Sequence, residues 1–158
     1  MERQKIKWLA YWFSIAMITL LFCYTAASKL MDYEKFVFQM QLSPFLIVKE
    51  FANVWAWLVP TVEVIVVFAL LTDRWRRLGL VTTILLLSIF QIYIGLMLLS
   101  KAQLPCTCGG VLSILGWDAH LIFNFAFIFL AISGLVLDGP KNRIPTLYQN
   151  ILRVNRYN

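Results

Sequence analysis

The sequence predicts an all-α integral membrane protein, a four-transmembrane-helix bundle with both termini on the cytoplasmic side. Three observations predict it. Four apolar stretches each approach the roughly 20 residues that a bilayer core demands. Of 158 residues, 61% are hydrophobic and only 14% charged, with a mean hydropathy of +0.76, which leaves too little polar surface for a soluble domain. No barrel-like alternation is present, so helices must satisfy the backbone hydrogen bonds inside lipid. A single membrane domain over 1–158 is expected, with 138–158 as a basic cytoplasmic tail.

The expected spans are 8–27, 54–71, 79–99 and 119–137. The first begins like a signal peptide, with Arg3, Lys5 and Lys7 before apolar residues and Thr25-Ala26-Ala27-Ser28 at its end. Its apolar run exceeds the roughly 7–15 residues of such a region, so it reads as an anchor. Between spans one and two, Asp32 can cap a short helix carrying Glu34 in its first turn. Phe36, Phe38, Met40 and Leu42 mix there with Lys35, Gln39 and Gln41, as suits a segment lying on the membrane surface. Ser43-Pro44 reads as a cap and a first helical position, starting a helix that runs toward span two. Trp55 and Trp57 fit the interfacial belt. The short link 72–78 makes spans two and three antiparallel neighbours. Asp118, with Trp117 before it, can cap span four, and Asp138-Gly139-Pro140 ends it.

The net charge of +6 is a topology signal and not a nucleic-acid patch. Arg3, Lys5, Lys7, Arg74, Arg76, Arg77, Lys141, Arg143, Arg153 and Arg156 fall on one face of the expected bundle. Lys29, Lys35, Lys49 and Lys101 fall on the other. Ten against four places the termini in the cytoplasm. The connection between spans three and four then faces the oxidising side, where a disulfide can persist.

That connection carries Pro105-Cys106-Thr107-Cys108-Gly109-Gly110, where chemistry is expected. An extended i, i+2 cysteine pair lies at the limit of disulfide geometry, so closure needs a turn, which Gly109-Gly110 can supply. A small strained ring is easily reduced, which favours a redox role over a structural staple. Cys106, Cys108 and His120 are an alternative soft-metal set for Cu(I) or zinc. Cys23, the odd thiol, reads first as a small buried apolar residue, and alternatively as a partner for the loop cysteines.

Four further residues stand out. Glu63 lies deep in span two, where a carboxylate is costly and must be protonated or partnered. Gln91 on span three is its first expected partner. Together they read either as a proton relay or quinone contact, or as a hydrogen bond joining two helices. His120 and Asn124 share a face of span four (i, i+4), and His120 stands near the thiols, where it can move a proton or sit as a plain interfacial residue. Trp117 joins Glu63, Gln91 and Asn124 as a candidate cofactor contact. Lys29 and Asp32 are spaced to bridge locally, with no catalytic role assigned.

These residues resemble the DoxX-like group, and within it the methylamine-utilisation MauE branch of redox-associated membrane proteins. The matching pieces are Ala27-Ser28-Lys29-Leu30 with Asp32, Ser43-Pro44, Trp57-Leu58-Val59-Pro60 with Glu63, and Pro105 to Gly110. The last continues into Leu115-Gly116-Trp117 and His120-Leu121-Ile122-Phe123-Asn124. The resemblance implies a four-helix bundle of the bacterial inner membrane with its CxC loop facing the periplasm. It also implies a thiol–disulfide or maturation role toward extracytoplasmic proteins, beside a thioredoxin-like partner. The layout is similar to the DsbB and vitamin K epoxide reductase families, which pass electrons to quinone, but their second cysteine pair is absent here. A non-catalytic accessory subunit of a larger envelope complex is the alternative.

Overall fold

The computed structural model describes residues 2–99 and 117–139. Six helices follow one another: α1 (Glu2–Met31), α2 (Tyr33–Gln41), α3 (Leu46–Glu50), α4 (Ala52–Leu71), α5 (Arg76–Leu99) and α6 (Trp117–Leu137). Among the described residues four helices are long and apolar enough to cross a membrane, namely Glu2–Met31, Ala52–Leu71, Arg76–Leu96 and Ala119–Leu137. The all-α four-helix membrane architecture read from the sequence therefore holds.

The four spans form a ring in which α1 packs on α4 and α6, and α5 packs on α4 and α6. Neighbours run antiparallel: Tyr11 meets Asp138 and Trp12 meets Arg76 at one end, while Lys29 meets Glu63 and Gln91 meets Leu121 nearer the other. Each span buries a stripe at three- and four-residue spacing. On α1 it includes Tyr11, Ile15, Ile18, Phe22, Ala26 and Lys29; on α6, His120, Asn124, Phe127, Ala131 and Gly134. The apolar core fills the half nearer the start of α1, with Tyr11, Ile18, Val66, Leu70, Leu80, Leu87, Phe127 and Ala131. The outward faces remain apolar, as with Leu20, Phe68, Ile89 and Phe129, and so meet lipid.

Cys23 belongs to that outer face: it is exposed, not buried. One residue past Phe22 rotates it about 100° away from the interior stripe of α1.

The connection from α1 to α4 departs from expectation in detail. Asp32 does occupy the position before α2, but its side chain makes no cap bond. Its carboxylate pairs with Lys35 at 3.1 Å and not with Lys29. α3 begins at Leu46, two residues after Pro44, because the Ser43 hydroxyl accepts the nearby Phe45 N–H at 3.3 Å and forms a turn. Trp57 packs its ring on Tyr33, with centroids 5.6 Å apart, and thereby holds the start of α2 against α4. α6 ends at Leu137, as its Asp138-Gly139 signal requires. The cap expected from Asp118 concerns a side chain outside the described residues, as does the tail beyond Gly139.

α4 and α5 are joined by only four residues, Thr72 to Trp75. They approach closely at Gly79, where an added Cβ would lie 3.0 Å from the Leu70 backbone nitrogen. A Gly79→Ala substitution should cost about 1–2 kcal/mol despite its better helix propensity, because the obstacle is backbone. At Gly134 the nearest atom is the side-chain tip of Leu80, at 3.3 Å, which needs to give by only a few tenths of an ångström, so Gly134→Ala should be close to neutral. Chemical denaturation of the two variants in the same detergent checks the order.

Candidate functional site

Beyond the apolar core the bundle interior turns polar. Lys29 near the end of α1 and Glu63 midway along α4 form an ion pair of 2.6 Å, with side chains 6% and 10% exposed. Glu63 sits about 16 Å along α4 from Ala52, well within a bilayer core. Lys29 stands two residues from the end of its helix, where a lysine ordinarily reaches outward to headgroups and water. Here it turns back along α1, with its ammonium 3.4 Å from the Thr25 carbonyl, one turn inward. Phe36 of α2 covers it, the ring centroid lying 5.9 Å from Nζ. The Thr25 hydroxyl donates to the Phe22 carbonyl at 3.3 Å and lies beside the same carboxylate. Two charges buried in this way compensate one another, and either one alone would be costly.

Gln91 does not meet Glu63. Its amide donates to the Leu121 carbonyl on α6 at 3.3 Å. The reason is depth measured from the shared tight turn: Gln91 lies about 22 Å up α5 from Arg76, whereas Glu63 lies about 13 Å up α4 from Thr72. The partner that sequence reasoning missed is Lys29. The available signal was that Glu63 is the sole acidic residue within the expected spans, so a nearby cation had to be sought even at a span end.

His120 and Asn124 share one face, as expected, and both are buried, at 3% and 4% exposure. His120 lies against the Phe90 ring, centroids 5.8 Å apart, and within electrostatic reach of Lys29. Phe90 continues through Tyr93, which hydrogen-bonds Ser43 at 3.2 Å and packs on Phe45, so the α2–α3 segment is tied to the histidine's surroundings. Four buried polar atoms here have no protein partner: Glu63 Oε2, Gln91 Oε1, His120 Nδ1 and Asn124 Nδ2. Cys106, Cys108 and the side chain of Trp117 lie outside the described residues. Among the described residues no group of three His, Cys, Asp or Glu side chains comes together to hold a metal.

A buried ion pair and an imidazole inside a ring of lipid-facing helices define a multi-pass membrane protein with a polar interior site. The chain belongs to the family of methylamine utilisation protein MauE, whose model matches residues 6–137 and so takes in all four spans. No curated protein and no solved structure gives a significant match.

Proposed function

We propose that this chain is a membrane maturation factor in methylamine utilisation, acting on methylamine dehydrogenase through thiol–disulfide exchange at Cys106 and Cys108. In this reading both termini are cytoplasmic and the CxC loop faces the periplasm of an inner membrane, as the basic residues favour. The oxidised pair is attacked by a thiolate of the client, giving a mixed disulfide. A second client thiolate then displaces the loop sulfur, so one disulfide passes outward and two loop thiols are left. A thioredoxin-like partner in its disulfide form restores the pair by the same exchange run in reverse.

The observation that carries this reading is the position of His120. It is buried in the first turn of α6, twelve residues after Cys108, with Nδ1 unpaired and so free to take or return a thiol proton. Lys29, itself paired with Glu63, lies within electrostatic reach of it.

The test is trapping. With Cys108→Ser, non-reducing gels of membranes should show a mixed disulfide between Cys106 and an extracytoplasmic protein, and mature dehydrogenase should fall at least tenfold. If neither Cys106→Ser nor Cys108→Ser traps a partner and the dehydrogenase matures normally, the thiol role is wrong. The accessory-subunit alternative, with the cysteines as a clip, predicts that second result.

A further inference from the structure

The polar half of the bundle carries more unpaired hydrogen-bonding atoms than a sealed helical core tolerates. Glu63 Oε2, His120 Nδ1 and Asn124 Nδ2 belong to residues no more than 7% exposed, and Gln91 Oε1 is the fourth such atom. Each is costly to leave without a partner once it is away from water. Four together weigh heavily against the marginal stability of a folded domain.

Their placement is ordered. His120 lies about 4–5 Å from the start of α6 and Asn124 about 10 Å, while Glu63 lies about 16 Å from the start of α4, at the same end of the bundle. Gln91 borders them from α5, bonded to the carbonyl of Leu121 between the two α6 residues. Pro60, on the same buried stripe of α4, has no N–H to give the Ala56 carbonyl. One turn beyond Glu63 the interior becomes apolar at Val66 and Leu70.

The chemistry of these atoms selects what meets them. Glu63 Oε2 and Gln91 Oε1 can only accept, Asn124 Nδ2 can only donate, and His120 Nδ1 does either according to tautomer. A partner must therefore both donate and accept, and must recur along the line. Lipid tails do neither. Water does both, and a polar site offering several groups is where buried water is held.

We propose that water fills this half of the bundle as a closed-ended channel, opening where α6 begins and ending at Glu63. Such a column brings protons to a carboxylate deep in the membrane from one face only. A proton handed along the waters forms an O–H bond at Oε2, the oxygen Lys29 leaves free, and departs by the same route. Among the described residues, the charged and titratable groups facing it are Lys29 from α1 and His120 from α6, with neutral Gln91 from α5.

Thiol accessibility tests the channel. In full-length protein carrying Cys23→Ser, Cys106→Ser and Cys108→Ser, in lipid nanodiscs, single cysteines are introduced and treated with a small cationic methanethiosulfonate. Only a hydrated thiol ionises and reacts quickly. Asn124→Cys or Gln91→Cys should react at least tenfold faster than Phe125→Cys, whose side chain faces lipid, and Val66→Cys should be as slow as Phe125→Cys. Using two channel positions guards against one variant misfolding, which elution as a single species reports. Silence at both overturns the proposal. So does equal speed at Val66→Cys, because water would then not stop at Glu63. The loop cysteines are absent from this background, so failure here leaves the exchange reading standing, and failure to trap a client leaves the channel standing.

Discussion

Replacing Lys29 by methionine should lower the unfolding free energy by about 3–5 kcal/mol, the usual cost of leaving one member of a buried ion pair alone. For a chain of this length that is a fall on the order of 10 °C in apparent midpoint. Methionine keeps about the length of the lysine stem and places an apolar end beside Phe36, so the loss reports the charge and not a void. Glu63→Gln should be milder. An unpaired Lys29, two residues from the helix end, can swing outward to the headgroups, whereas Glu63 has no comparable exit from mid-span. The double variant Lys29→Met/Glu63→Leu should recover more than half of the loss, since it leaves neither buried charge without its partner. Thermal unfolding of the four proteins in one detergent decides it. Equal losses in the two single variants would mean that Lys29 has no outward alternative, and no recovery in the double would mean that the pair is not the source of the cost.

Arg76→Ala should destabilise by about 3 kcal/mol, from the opposite end of the bundle. The guanidinium is 3% exposed and does several things at once. Its Nε donates to the Leu70 carbonyl at 2.8 Å and Nη2 to that of Leu71 at 3.4 Å, closing the last turn of α4 where helix carbonyls lack partners. Nη1 lies 2.6 Å from Asp73, and the planar group rests on Trp12 of α1 at 4.7 Å. Tyr11 beside it hydrogen-bonds Asp138 at 3.0 Å, which brings α6 to the same point. Arg76→Lys should restore less than half of the loss, because an ammonium offers no flat fork for two carbonyls and a ring. Denaturant midpoints measured alongside an exposed control, Arg77→Ala, check this; a full rescue by lysine would reduce the site to simple charge.

The spans were legible because hydropathy over twenty residues reports the solvent, and lipid is a solvent that rejects the backbone. Glu63 was legible for the same reason: a carboxylate amid Val62, Val64 and Ile65 is conspicuous on cost alone. Its partner was not. A lysine at a span end is ordinary by composition, and only the packing of α2 over α1 and α4 shows that Lys29 turns inward. Gln91 does not partner Glu63 because the four-residue turn at Thr72 to Trp75 sets the relative height of α4 and α5, which depth along either helix alone does not reveal. Asp32 illustrates a smaller ambiguity: i, i−3 and i, i+3 lysines are equally near in sequence, and the break between α1 and α2 leaves Lys35 on its side. Cys23 was misplaced by a single residue of helical phase.

The described links at the two ends of this ring are built differently. At one end, four residues of turn, the close approach at Gly79 and the Arg76 bonds to the last carbonyls of α4 clamp α4 to α5. At the other end α1 and α4 are joined through two short helices, so their relative height is set by Lys29, Glu63 and the Tyr93–Ser43 bond instead of by a direct chain link. The register of α1 against α4 there rests on a single charge pair, and a substitution that breaks it removes a positional restraint as well as a stabilising contact.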